Sequence, residues 1–346
     1  MKAFNVIIVG CGAIAFRWLD HLTKRDDTEI KAIVETDLVR AQQAKDQYGL
    51  HCNLYMSLDE ALEKEQCNLV VDLTYVTVHK DIVTKALLAG CDVLGEKPMS
   101  DSVESVREIL RAVEASGRRY TVMQNRRYID QVQKIRGIVD SGLMGQCVMI
   151  NGEIFVAADM GSIRNMLQYP QLQDNNIHIF DQARYMCAGK PVSVYYHSFN
   201  PKGSKYTGDA AGVAVFEMDN GCVFSFRGYN GAEGMHTSWD HVWRVCCERG
   251  TIVWDGVGDA VYQYADQVGR YVYQDGRISK PDVVRDQHDK ALEDMLDAYK
   301  TGRPLMTDCW DNVYSIAMVL ASIKSIEESR KVNIEVKDVE PYILLH

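Results

Sequence analysis

The feature that most restricts how this chain folds is the run Gly10-Cys11-Gly12-Ala13-Ile14-Ala15, set directly after an apolar stretch at 5–9 and at the head of an amphipathic stretch at 13–24. A strand that turns on glycine straight into a helix makes a phosphate-binding corner. The first glycine permits the tight turn, the second lets backbone approach a pyrophosphate, and a small third residue lets helix and strand pack closely. Unpaired N–H groups and the helix dipole favour an anion at that helix start. Glu35 follows the next apolar run, 30–34, about 20 residues beyond the corner, where a carboxylate accepts hydrogen bonds from an adenosine ribose. We therefore expect a dinucleotide site built on Gly10, Gly12, Ala13, Ile14 and Glu35. A carboxylate at position 35 repels a 2′-phosphate, and Thr36 stands where a phosphate-binding arginine would, so NAD is expected in preference to NADP; Arg40 argues the other way.

The corner opens a series. Apolar runs at 5–9, 30–34 and 69–73 alternate with amphipathic stretches at 13–24, 38–48 and 79–89, and strand-like runs at 91–94 and 120–123 flank a helical pattern at 102–116. Near-continuous apolar strands of this kind belong to a parallel sheet covered on both faces. Residues 1–122 are thus predicted to form an α/β Rossmann domain, a doubly wound parallel sheet. Beyond it, strand-like runs follow one another at 148–156, 192–198, 211–218, 222–227, 241–247, 251–254 and 260–264, with Asp219-Asn220-Gly221 as a hairpin signal. Few helices intervene, one at 177–186 and two late ones at 289–300 and 312–329. Residues 123–346 therefore read as an α+β domain with a large, mostly antiparallel open sheet.

Composition agrees and excludes. With 346 residues, 47% of them hydrophobic, the chain exceeds what one core usually organises. Its 38 Lys and Arg against 48 Asp and Glu leave a formal charge of -10, the wrong sign for neutralising phosphates, so nucleic acid is not expected as a partner. No apolar run reaches the roughly 18–20 residues that span a bilayer, and no membrane partner is expected. Lys2, the apolar stretch 4–9 and Ala13-Ile14-Ala15 imitate an export signal, but Gly10 and Gly12 interrupt it and a buried strand explains the same residues. The ten cysteines include no pair at the two-residue gap of zinc sites and redox dithiols, which points to a reducing cytoplasm and to no metal.

Further along stand Thr74, His79 and then Gly95-Glu96-Lys97-Pro98. Here the sequence resembles the glucose-fructose oxidoreductase, inositol dehydrogenase and rhizopine-catabolism family, Gfo/Idh/MocA, of which a Glu-Lys-Pro run is characteristic. The likeness continues in Asn125-Arg126-Arg127-Tyr128, in residues 174–181 and in Gly302-Arg303-Pro304. It implies a Rossmann domain followed by an open-sheet domain, a catalytic group of Lys97, Asp174 and His178 with Asp181 at a further frequent position, and Thr74, His79, Glu96 and Lys97 at the cofactor. Asn176 stands where the family often has glycine, and Tyr75-Val76 where it commonly has Pro-Asn or Pro-Pro, so the substrate is not transferred by name.

The residue chemistry is compatible. Lys97 lies just past the fifth strand, and ligands of open α/β sheets bind beyond the carboxyl ends of strands. A hydride leaves a carbinol carbon as its hydroxyl loses a proton, so the reaction needs a base and a cation beside the developing alkoxide. His178 and Lys97 are those types. Asp174 and His178, four apart on a helix, would share a face, although on residues alone they read equally as an N-cap and a buried structural histidine. Arg126 and Tyr128 are candidate substrate residues, with Asp159 and His236 from loops of the second domain and Arg164, Trp239, Asp240 and His241 as further pocket groups. The expected function is NAD-dependent hydride transfer at a secondary hydroxyl or ketone of a cyclic polyol, sugar or sugar derivative. Redox-neutral glycoside cleavage by transient oxidation, and a non-enzymatic nucleotide-binding sensor, are the alternatives. The open sheet implies, by resemblance, a homodimer or homotetramer.

Overall fold

The computed structural model describes residues 3–158 and 165–336; Asp159 and Arg164, named above, lie outside them. Contacts divide the described chain into two compact units, 3–124 with His288–Val313, and 125–158 and 165–287 with Tyr314–Val336.

The first unit is a six-stranded parallel sheet in the order β3-β2-β1-β4-β5-β6, formed by β1 (Phe4–Val9), β2 (Thr28–Val34), β3 (Asn53–Tyr55), β4 (Leu69–Asp72), β5 (Asp92–Gly95) and β6 (Tyr120–Val122). Strands β1, β4 and β5 are almost wholly buried, as a sheet covered on both faces requires. The helices between them are α1 (Ala13–Leu22), α2 (Leu38–Gln47), α3 (Leu58–Lys64), α4 (Val76–Leu88) and α5 (Val103–Ser116). The pair β3 and α3 was not anticipated: β3 has three residues and opens on polar Asn53, too little for a period to show. The order reverses between β1 and β4, and at that switch point ligands of doubly wound sheets bind.

The second unit begins with a 3-10 turn, Asn125–Tyr128, and α6 (Asp130–Asp140). Its sheet comprises β7 (Cys147–Phe155), β8 (Pro191–Phe199), β9 (Ala211–Met218), β10 (Val223–Tyr229), β11 (Val242–Cys247), β12 (Gly250–Trp254), β13 (Ala260–Tyr264), β14 (Gln274–Ile278) and β15 (Val332–Asn333). The nine strands lie in the order β14-β13-β12-β11-β7-β10-β9-β8-β15, all antiparallel neighbours except the parallel pair β7 and β10. A π-helical turn, Gln171–Asn175, leads into α7 (Asn176–Cys187), which lies across the inner face. Its Phe180 meets Phe216, Phe226 and Phe224 at centroid separations of 4.8, 5.5 and 6.0 Å, within the 4.5–7 Å range of attractive aromatic pairs. Gly152 of β7 makes room for the helix, because a Cβ there would stand 3.0 Å from Ile179 and 2.9 Å from Trp243.

Two late helices lie between β14 and β15, α8 (Gln287–Thr301) and α9 (Cys309–Glu328). Most of α8 belongs to the first unit, where the Tyr299 hydroxyl donates to the Val93 carbonyl at 2.9 Å and the Arg119 guanidinium donates to the Ala298 carbonyl at 2.8 Å.

Candidate active site

In the first unit, the predicted nucleotide residues stand past the carboxyl ends of β1, β2, β4 and β5, with His79 in α4. Gly10 turns with φ +92, and a Cβ on it would meet the Leu73 carbonyl carbon and oxygen at 3.0 Å, so both backbone conformation and space demand glycine. Gly12 is the N-cap of α1 and offers no side-chain cap; the first turn holds no acidic residue, and the direction its Cβ would take is open. Ala13 and Ile14 are exposed beside it, while Ala15 is buried against the sheet. Orphan N–H groups, an uncancelled dipole and open space are what a pyrophosphate needs.

Glu35 supports the corner from beneath. One carboxylate oxygen accepts from the Cys11 N–H at 2.8 Å, and the other accepts from the Asp37 N–H and the Thr36 hydroxyl, each at 3.1 Å. Burial alone would raise its pKa, but these three donors and the Arg40 guanidinium, 3.9 Å away, hold it below the usual carboxylate value. Thr74 binds the buried Asp72 carboxylate through both its hydroxyl (2.6 Å) and its N–H (3.1 Å). His79 is buried with one ring nitrogen 2.9 Å from the Pro98 carbonyl and the other 3.0 Å from the Thr74 carbonyl. It is a strut between the loop after β4 and the loop after β5.

Lys97 stands on that second loop, half-buried and joined to Pro98 by a cis peptide bond. Its N–H donates to the Glu96 carboxylate at 3.2 Å, and the other oxygen of Glu96 accepts from the Trp18 indole N–H of α1 at 2.8 Å and faces His288 of α8 at 3.8 Å. Burial opposes ionisation of Glu96, yet His288, Trp18 and Lys97 together keep its pKa below the ordinary value. The anionic Glu96 thus ties the lysine loop to the phosphate-binding helix. Trp18 and His288 were not singled out in the sequence: the tryptophan reads as one more apolar residue on α1, and His288 is distant along the chain.

In the second unit, His178 is buried in the first turn of α7, and half-buried Asp174 precedes it in the π turn. Their spacing of four therefore crosses a π-helical turn, a feature frequent at functional sites, and is not one plain α turn. Asp181 is committed elsewhere. It takes two parallel hydrogen bonds from Arg127 at 2.7 Å each and one from the Ser315 hydroxyl at 2.5 Å, with Arg184 at 3.6 Å. Tyr128, a predicted substrate residue, is 3% exposed, whereas His236 is exposed on the loop before β11.

Arg126 points away from its neighbour's ion pair. Its guanidinium is 15% exposed and touches Asp240 through Nη1 at 3.2 Å. Its carbonyl accepts from the Gln182 amide at 3.5 Å, and the Gln182 oxygen lies 2.8 Å from Nδ1 of His241. A carbonyl can only accept, so the Gln182 amide presents its NH2 to Arg126 and its oxygen to His241, which must then carry its proton on Nδ1. Nε2 is left as a buried acceptor with no partner among the described residues. Burial and then the charge of Arg126 push the His241 pKa well below that of an ordinary histidine. Asp240 also lines a cavity of about 280 Å³ with Asp130, Trp254, Lys280 and Arg285. Among the described residues no group of three or more His, Cys, Asp or Glu converges as a metal site.

Residues 4–124 match the family described as "Oxidoreductase family, NAD-binding Rossmann fold", and residues 132–253 match the GFO/IDH/MocA C-terminal domain. The chain belongs to the Gfo/Idh/MocA family of oxidoreductases. Its cofactor is NAD. This family member is similar along its length to the protein y4oX of Sinorhizobium fredii, 22% identical in an alignment 346 positions long that covers 96% of each chain. An inositol 2-dehydrogenase of an Arthrobacter species is 27% identical over 196 residues, 56% of this chain and 57% of that enzyme, little more than half of either. The crystal structure of an oxidoreductase from Agrobacterium radiobacter, in complex with NAD+, L-tartaric acid and magnesium, shares the fold with a TM-score of 0.84 at 18% identity, over 96% of this chain and 99% of that one.

Proposed function

We propose that this Gfo/Idh/MocA oxidoreductase oxidises a secondary hydroxyl of a polyol, sugar or sugar derivative, or reduces the matching ketone. The observation that carries the reading is that a phosphate-accepting corner and a tethered lysine stand at the same end of one parallel sheet, Gly10 and Gly12 after β1 and Lys97 after β5. Bound NAD supplies a hydride acceptor. Gly12, Ala13 and Ile14 hold its pyrophosphate by backbone N–H groups, with Gly10 making the turn, and Glu35 faces its ribose. Thr74, His79 and Glu96 shape the loops around its nicotinamide end. His178 takes the hydroxyl proton as general base, Lys97 stabilises the alkoxide oxygen, and Asp174 orients His178 or relays its proton. The similarity to inositol 2-dehydrogenases supports a polyhydroxylated substrate.

We assign the protein to the cytoplasm on its ten unbridged cysteines. A homodimer or homotetramer is assigned on the outer face of the second sheet, which leaves Met149, Tyr195, Val213, Val215 and Val261 between 41% and 47% exposed. Lys97→Met keeps length and apolar bulk and removes the charge. With NAD as co-substrate, its turnover should fall at least ~100-fold, the scale of losing one electrostatic stabiliser of a transition state. NAD affinity, read by fluorescence titration, should change little; an unchanged turnover number would remove the assigned role of Lys97.

A further inference from the structure

The consecutive arginines of the second unit face opposite fates. Arg127 is 3% exposed and fully matched, its fork closed on Asp181 by two bonds of 2.7 Å and its face on Tyr185, 5.2 Å from the ring centroid. Arg126 is held by its backbone and by one corner only: Gln182 binds its carbonyl, Asp240 binds Nη1, and among the described residues Nε and Nη2 meet no acceptor. Gln182 is one turn along α7 from His178, a rise of about 6 Å at 1.5 Å per residue. The backbone of Arg126 therefore lies beside the helix face that carries the proposed base, and its guanidinium sits on Asp240, next to the His241 that Gln182 also binds.

A guanidinium presents its donors as a planar fork that matches a carboxylate with two parallel bonds. A fork that is 15% exposed with one edge unmatched by protein leaves those donors to solvent, and a carboxylate that replaces the water gains charge-assisted bonds. We propose that the open edge of Arg126 receives a carboxylate of the substrate, which makes the substrate a polyhydroxy acid, such as a uronic or aldonic acid. The inference rests on the dehydrogenase reading of the same site. The electrostatics of the pair agree: burial pulls the Arg126 pKa down and pushes the Asp240 pKa up, so their mutual attraction leaves both short of compensation.

The surrounding charge selects a carboxylate over a phosphate ester. The cavity wall beside Asp240 brings Asp130 together with Lys280 and Arg285, and Asp286 acts on Asp240 from nearby. With Arg126 these named groups are three carboxylates and three cations, so they add no net positive charge to hold the second charge of a phosphate ester.

The test compares D-glucuronate, D-galacturonate and D-gluconate with D-glucose, D-galactose, glucitol and myo-inositol, and with glucose 6-phosphate. It uses NADH formation with wild-type enzyme, Arg126→Lys and Arg126→Gln. An acid should be preferred over its neutral counterpart by about 100-fold or more in kcat/KM, the scale of a buried charge pair. That preference should collapse in Arg126→Gln and recover in part in Arg126→Lys. Neutral sugars turned over as well as the acids, sugar phosphate preferred, or a preference for acids that survives Arg126→Gln would each overturn the proposal while leaving the dehydrogenase reading intact. Binding to the NADH complex is measured in parallel by calorimetry, independently of turnover. Acids that bind through Arg126 without reducing NAD uphold the carboxylate site and sink the dehydrogenase reading; no acid bound by wild-type enzyme above its neutral counterpart sinks the carboxylate site.

Discussion

At the residue scale, function shows in which polar groups are finished and which are not. Glu96 and Asp181 are buried carboxylates whose oxygens are taken up by neighbouring donors, and they hold other groups in place. His241 is different: it is fully buried, has φ +71, and presents an acceptor with no partner among the described residues. Unfolding returns it to water, where it takes up a proton below the ordinary value of 6.5, while the folded chain refuses that proton until its own, lower value is reached. Between those two values the unfolded state binds more protons, so stability should fall as pH falls, by at most ~1.4 kcal/mol per pH unit for this one group. Urea midpoints at successive pH values from 7.5 to 5.0 should show a steeper acid-side loss in the wild type than in His241→Gln. Equal slopes would mean that His241 is not held neutral.

At the scale of elements, α7 is the part around which the second unit is organised. Its apolar side is set by Phe180 and Ile179 against the sheet, and its polar side by Asp181 and Gln182 against the Asn125–Tyr128 turn. Asp181→Asn would leave Arg127 and Arg184 buried without their carboxylate, and breaking such a pair costs about 3–5 kcal/mol. Calorimetry should show a fall in the unfolding temperature; a fall no larger than that of an exposed Asp→Asn control would deny Asp181 this structural role. The helix itself was legible in the sequence from its apolar spacing, as were Gly10 and Glu35 from their positions around a strand and a helix. The π turn was not, because four-residue spacing between Asp174 and His178 is the same string of letters in either helix type. Strand β14 was missed for a related reason: Gln274–Ile278 is polar and sits at the sheet edge, so it carries no alternation to read.

At the scale of the whole molecule, the nine-stranded sheet has one face filled by α7 and a second that keeps a row of apolar side chains in water. Tyr195 pairs with Val215, and Val215 with Ser225, so these positions are adjacent across strands on that outer face. If a second copy covers the face, Val215→Glu would place a charge in the middle of the contact. Sedimentation should then show a shift from oligomer toward monomer, and an unaltered sedimentation coefficient would place the contact elsewhere or deny it.

What the sequence by itself determined is whatever depends on neighbours along the chain: the strand-turn-helix corner, the run of parallel strands, the change to antiparallel grammar after residue 122, and the family likeness carried by contiguous motifs. What only the tertiary structure decided is how polar groups far apart in sequence share partners. Arg126 and Arg127 are adjacent and chemically identical, yet one meets Asp181 on both prongs and the other meets Asp240 on one. Hydrogen-bond saturation belongs to the surroundings of an atom, and those surroundings are assembled from residues 54 and 114 positions away in the chain.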